Sequence, residues 1–105
     1  MDLSYIFNNG DVVKMVWITP DMARFWLETY KYKYQRNIAQ NNVNTLTLEM
    51  LAGRFNEQTT ISFAMIDGKY VLLDGQHRLT AIVKSNKSTY SIVQLAKRKQ
   101  NKKLL

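Results

Sequence analysis

Apolar residues recur at helical spacing in three separate stretches of the chain. The first begins with Thr19 as a candidate N-cap and Pro20 at the first helical position, and it predicts a helix over about residues 20–30. The residues on one face of this helix are predicted to belong to the core: Met22, Phe25, Trp26 and Thr29 or Tyr30.

The second stretch, "NNVNTLTLEMLAG", predicts a helix that starts at a cap formed by Asn41 or Asn42 and ends at Gly53. Its apolar face is predicted to contain Val43, Leu46, Met50 and Leu51. The third stretch, "GQHRLTAIVKS", follows a turn at Asp74-Gly75 and predicts a helix that ends near Asn86.

Strand patterns lie between these helices. The segment "DVVKMVWI" is rich in β-branched residues, and "TTISFAMIDGKYVLL" contains two such runs separated by Asp67-Gly68, a strong signal for a hairpin. The segment "STYSIVQLA" predicts a last strand. In "YKYKYQRN", tyrosines alternate with long polar residues, which fits a strand, an extended connector, a continuation of the first helix, or a surface that stacks single-stranded bases. These patterns together predict an α+β domain with a small mixed sheet and about three helices.

The composition narrows the chemistry. A chain of 105 residues with 46% hydrophobic residues has enough material for one packed domain. It contains no cysteine and one histidine, which excludes disulfides, thiolate nucleophiles and a multi-histidine metal site within one chain. A metal such as Mg²⁺ would need carboxylates and phosphates as ligands. The absence of a long apolar run and of a signal-peptide pattern predicts a soluble, cytoplasmic protein without a membrane partner.

The net charge of +7 is concentrated at the C-terminus, where "KRKQNKKLL" carries five cations and no acid. We therefore divide the chain into a domain over residues 1–96 and a basic tail over residues 97–105. The tail is interpreted either as a solvated end or as a nucleic-acid contact. The cations concerned are Lys97, Arg98, Lys99, Lys102 and Lys103.

The turn at Asp74-Gly75 has the features of an anion site. A strand that runs directly into a helix leaves the first helical N–H groups without partners, at the positive end of the helix dipole. Gly75 allows a ligand to approach the backbone, while His77 and Arg78 add hydrogen-bond donors. The structural alternative is that Asp74 only caps the helix and His77 is a hydrogen-bonded residue of the first turn.

The segment "VLLDGQHRLTAIV" resembles the ParB/sulfiredoxin-like superfamily, in particular the DGQHR and DGQQR branches found in phage, DNA-modification and restriction proteins. The matching core is "DGQHRL" at 74–79, followed by Ala81-Ile82. Upstream, "YQRN" and "LTLEMLAGRF" resemble the order of elements in those domains, so the resemblance covers roughly residues 17–94.

This resemblance implies a small ParB-like α+β fold and a pocket that binds the phosphates of a nucleotide or a nucleic-acid backbone. The implied binding residues are Gly75, Gln76, His77 and Arg78, with Gln35 and Arg36 closing the pocket. Asp74 and His77 are the candidate catalytic residues for hydrolysis of a nucleotide or cleavage of a nucleic acid, and Mg²⁺ bound with a nucleotide is the candidate cofactor. Asp67, Glu57 and Glu49 become candidates only if the fold brings them to the turn.

Departures from the superfamily limit the choice of function. Sulfinic-acid reduction is excluded because Gln76 stands where sulfiredoxins need cysteine, and the neutral Gln76 and apolar Leu79 argue against a CTP clamp. Enzymatic activity stays open. The alternatives to a phosphate-binding domain are a non-enzymatic DNA-binding regulator and a phage-encoded inhibitor of a host nucleic-acid enzyme, for which the partner would be that host protein.

Overall fold

A computed structural model of the chain describes residues 3–7, 12–31, 40–53 and 60–96. These ranges contain four helices and four strands. In chain order the elements are α1 Leu3–Ile6, β1 Val13–Ile18, α2 Pro20–Thr29, α3 Gln40–Leu51, β2 Thr60–Ile66, β3 Lys69–Asp74, α4 Gln76–Ser85 and β4 Thr89–Ala96. The predicted α+β class with a small mixed sheet is confirmed.

The strands form one sheet in the order β1-β4-β2-β3. The β1–β4 and β2–β3 pairs are antiparallel, whereas β2 and β4 run parallel at the centre. Because parallel neighbours need a crossover, β3 and α4 together form the connection between β2 and β4. The strand–turn–helix segment that the sequence singles out is therefore part of this crossover.

Helices cover one face of the sheet and form the core with it. Trp26 of α2 is fully buried, and its ring meets that of Phe63 in β2 edge-to-face at a centroid distance of 5.4 Å. Helix α4 packs against both α2 and α3, and its apolar face contributes Leu79 and Ile82, which are also fully buried.

Local signals account for the boundaries of these elements. The Thr19 hydroxyl accepts a hydrogen bond from the Met22 N–H at 3.2 Å, which confirms the predicted cap of α2. Asp67 and Gly68 both have positive φ, as the two-residue hairpin between β2 and β3 requires. Helix α4 ends at Asn86, which adopts the left-handed conformation.

The predicted helices correspond to α2, α3 and α4, and the described residues add a single turn, α1, that is too short to show a periodicity. Two expectations about the predicted helices are wrong. Helix α3 begins at Gln40, so Asn41 and Asn42 lie inside its first turn rather than at its cap. Leu51 is 52% exposed because it lies about 100° around the helix from the buried Met50.

The aromatic face of α2 is also narrower than predicted. Trp26 and Tyr30 are buried, but Phe25 is 44% exposed and Thr29 is exposed as well. Phe25 lies one residue before the buried Trp26, and its ring packs edge-to-face on Tyr30 at 6.0 Å instead of entering the core. The prediction that this residue belongs to the core is thus corrected.

Candidate functional site

The turn between β3 and α4 is built around Gly75, which has a φ of +107°. A Cβ atom at this position would lie 3.0 Å from Cγ1 and 3.1 Å from Cα of Ile61, a fully buried residue of β2. Both the dihedral angle and the lack of space therefore require glycine. The turn is held close to the sheet because β2 lies directly beneath it.

The N-cap residue of α4 is Gly75, which has no side chain with which to cap the helix. The backbone hydrogen bonds of α4 begin with the Leu79 N–H, which donates to the Gly75 carbonyl at 3.0 Å. The Asp74 carboxylate accepts from the Gly75 N–H at 2.9 Å and so braces the turn before the helix begins. Asp74 is consequently not the helix cap, and the N–H groups at the start of α4 are not satisfied by the helix itself.

Two polar side chains of this turn are buried. Gln76 is 8% exposed and Arg78 is 5% exposed, while His77 between them is half-buried and Asp74 is exposed. Within the described ranges, Oε1 of Gln76 accepts no hydrogen bond. A buried amide oxygen without a donor costs about 1–3 kcal/mol, so the position of Gln76 is not explained by stability.

Burial destabilises the charged form of the Arg78 guanidinium. Burial lowers the pKa of Arg78 to about 10, well below the usual value for arginine, and the negative charge of Glu49 opposes this decrease. Glu49 is carried by α3, which is held against α4 next to this residue, where the Ser85 hydroxyl donates to Sδ of Met50 at 3.6 Å. The fold thus brings Glu49 into electrostatic range of the turn.

Glu49→Gln is expected to lower the free energy of unfolding by about 1 kcal/mol, because the buried guanidinium of Arg78 loses a compensating charge while Gln keeps the shape and helix propensity of Glu. The measurement is urea denaturation. The matched control is Glu28→Gln on α2, where the carboxylate is exposed and the expected change is within about 0.5 kcal/mol. Equal losses in the two variants would show that Glu49 does not compensate Arg78.

The remaining candidate residues do not lie at the turn or fall outside the described residues. Asp67 lies in the hairpin at the far end of β3, and the strand from Lys69 to Asp74 alone spans about 17 Å, so Asp67 is not part of the turn. Glu57, Gln35, Arg36 and the five tail cations lie outside the described residues. The candidate residues that the structure does bring together are those at 74–78, with the added charge of Glu49.

Metal binding has limited support from the side chains. Across the described ranges, no three His, Asp or Glu side chains are grouped closely enough to hold a metal ion. Mg²⁺ often takes only one or two protein carboxylates and completes its shell with phosphates and water. Mg²⁺ bound together with a nucleotide therefore stays a prediction, with Asp74 as the carboxylate next to the turn.

Searches against protein-family models, curated proteins and solved structures find no match for this chain. The ParB/sulfiredoxin-like resemblance therefore stays a prediction that rests on the residues of the turn. In the part of the chain that the structure describes, no helix has the length and apolar character needed to cross a membrane.

Proposed function

We propose that the turn between β3 and α4 binds a phosphate group, either of a nucleotide or of a nucleic-acid backbone. The observation that carries this proposal is the start of α4 at Gly75, a residue of positive φ that offers no side-chain cap and places the first N–H groups of the helix at the positive end of its dipole. A phosphate accepts hydrogen bonds from such groups without needing a specific side chain.

The side chains of the turn support the same ligand. Arg78 supplies a planar guanidinium that suits two phosphate oxygens, and its burial strengthens a charge-assisted hydrogen bond. Keeping a positive charge at a position that lowers its pKa costs stability, and an anionic ligand would offset that cost. Gln76 adds a buried acceptor that a sugar hydroxyl or a base amino group can satisfy.

A reaction at the bound phosphate would depend on His77 and Asp74. His77 is half-buried in the first turn of α4, and an imidazole is a side chain that can act as a general acid or base. Asp74 already accepts a hydrogen bond from the Gly75 N–H, so its first role in this proposal is to brace the turn. If the site is enzymatic, the reaction is hydrolysis when the ligand is a nucleotide and strand cleavage when it is a nucleic acid.

A second candidate function is binding to a nucleic-acid-processing protein, with or without inhibition of it. The open face of the sheet favours this candidate, because Val13, Met15, Trp17 and Tyr90 are all between 46% and 58% exposed. Trp17 and Tyr90 are register partners whose rings meet at 4.8 Å. Apolar surface gathered on one face in this way is typical of protein contact sites.

Thermal unfolding with ATP, GTP, CTP or ADP, each with and without Mg²⁺, tests the phosphate site. A nucleotide at one hundred times its Kd adds about 2.7 kcal/mol and should raise the Tm of the wild type by about 10 °C or more. Arg78→Met should abolish this increase, whereas Arg24→Met, on the exposed surface of α2, should keep it.

The outcome separates the two candidate functions. An increase of equal size in Arg78→Met would place the ligand elsewhere on the molecule and contradict the proposed site. If no nucleotide changes the Tm, the small-nucleotide version of the proposal is wrong, and nucleic-acid strands and protein partners are the ligands to test next.

A further inference from the structure

A cleft with a volume of about 460 Å³ opens between the end of α2 and the β2–β3 hairpin, apart from the turn at Gly75. It lies at the beginning of β3, whereas the turn at Gly75 follows the end of that strand. This volume is within the range of small-ligand sites. The residues that give the cleft its chemistry are Ser4, Phe25, Thr29, Tyr30, Lys69 and Tyr70.

Three aromatic rings form the apolar part of the cleft. The ring of Tyr30 is nearly perpendicular to those of Phe25 and Tyr70, at centroid distances of 6.0 and 6.3 Å. Tyr30 is fixed at both ends, since its hydroxyl accepts from the Leu3 N–H at 3.3 Å and its carbonyl from the Leu72 N–H at 2.7 Å. The wall of the cleft is therefore rigid.

Phe25 is the ring that this wall presents to a ligand. It is 44% exposed and lies one residue before the buried Trp26 on α2. The edge-to-face contact with Tyr30 occupies one part of Phe25 and leaves the rest accessible. An exposed, rigidly supported ring is a platform on which a planar group can stack.

The polar side chains around the rings define what kind of planar group fits. Lys69 is exposed beside Tyr70 and supplies a positive charge, and Thr29 supplies an exposed hydroxyl one helical turn from Phe25. A planar group that carries hydrogen-bonding atoms and a nearby negative charge matches all three features. A nucleobase with its phosphate is such a group, and the net charge of +7 favours its approach.

We propose that this cleft binds an unstacked base of a single-stranded nucleic acid, with the base on Phe25 and the adjoining phosphate near Lys69. This inference rests on the proposed function in one respect: the same single strand is taken to place a phosphate at the turn at Gly75. The two sites are separated by the length of β3, about 17 Å, which a strand of a few nucleotides spans. Bases of a duplex are stacked and paired, so duplex DNA does not satisfy the cleft.

The test is fluorescence anisotropy with a labelled oligothymidine strand of about twelve nucleotides, within the range of sites used by single-strand binders. A strand of the same length with abasic residues is the comparison. Phe25→Leu is expected to weaken oligothymidine binding about tenfold, because stacking on one aromatic ring contributes about 1–3 kcal/mol, and to leave binding of the abasic strand unchanged.

Tyr5→Leu is the matched control, since Tyr5 is 70% exposed and does not line the cleft. It should bind both strands like the wild type. The inference is overturned if Phe25→Leu binds oligothymidine as tightly as Tyr5→Leu does, or if the wild type does not prefer oligothymidine to the abasic strand.

Arg78→Met distinguishes a failure of this inference from a failure of the proposed function. If Arg78→Met weakens binding of both strands while Phe25→Leu changes neither, the phosphate site stands and the base site is wrong. If only Phe25→Leu weakens binding, the base site stands and the role assigned to the turn is wrong.

Discussion

Gly75→Ala is expected to lower the free energy of unfolding by about 3 kcal/mol. A non-glycine residue at the φ of +107° contributes about 1 kcal/mol of this loss. The remaining 2 kcal/mol or so comes from overlap with Ile61, because the new methyl group would lie 3.1 Å from the Cα of that residue, and a backbone atom of a central strand cannot move away cheaply. Urea denaturation with a shared m-value measures the difference.

Gly68→Ala is the control that isolates the steric contribution. Gly68 has a φ of +78° in the β2–β3 hairpin, but no atom lies within 4 Å of the position its Cβ would take. It should therefore lose only the conformational part, about 1 kcal/mol. Equal losses in the two variants would mean that the turn can move away from Ile61 and is not held rigidly above β2.

The role of Gly75 illustrates what the sequence could predict about the site. Its position between a strand and a helix is visible in "LLDGQHRLT", and a glycine there allows a ligand to approach the backbone. The contact with Ile61 has a different origin, since it depends on β2 and β3 being neighbours. Glycine at position 75 is therefore required both by its backbone conformation and by its packing against Ile61, and the second requirement is not visible in the local sequence.

Elements with strong local signals were predicted well. The cap at Thr19, the hairpin at Asp67-Gly68 and the left-handed end at Asn86 each depend on residues within one or two turns of each other. The burial of individual side chains was predicted less well, because helical periodicity gives the direction of the apolar face and not its width. For this reason Phe25 was assigned to the core and Leu51 to the apolar face of its helix, and both are exposed.

The electrostatics of the site could not be predicted from the sequence. Glu49 lies 29 residues before Arg78 in the sequence. In the sequence of its helix, Glu49 is only a polar residue next to the apolar face. Its influence on Arg78 depends on the packing of α3 against α4. Burial of Arg78 is likewise a tertiary property, because arginine at the start of a helix is ordinarily solvated.

Arg78→Met is expected to raise the free energy of unfolding of the ligand-free protein by about 1–2 kcal/mol. Methionine keeps the unbranched stem of arginine and removes a charge that burial makes costly, and exchanges of this kind in buried positions are often stabilising. The same variant should fail to respond to a nucleotide. A residue that lowers stability and is needed for binding would be retained for function rather than for the fold.

The pH dependence of this difference follows from the lowered pKa of Arg78. In the unfolded chain the guanidinium keeps the higher pKa that is usual for arginine, and in the folded protein burial lowers that pKa to about 10. The charged form therefore costs stability at every pH below about 10, and the cost decreases only as the pH rises above 10 toward the usual pKa of arginine. The difference in unfolding free energy between Arg78→Met and the wild type should accordingly be constant between about pH 6 and pH 9.

Arg24→Met is the control for this comparison. The Arg24 side chain is 51% exposed and pairs with Asp21 at 3.1 Å, an arrangement that contributes little, so this variant should stay within about 0.5 kcal/mol of the wild type. A loss of stability in Arg78→Met would mean that the attraction of Arg78 to Glu49 and its other contacts outweigh the cost of its burial. Arg78 would then be a structural residue, and its burial would no longer support a phosphate site at the turn.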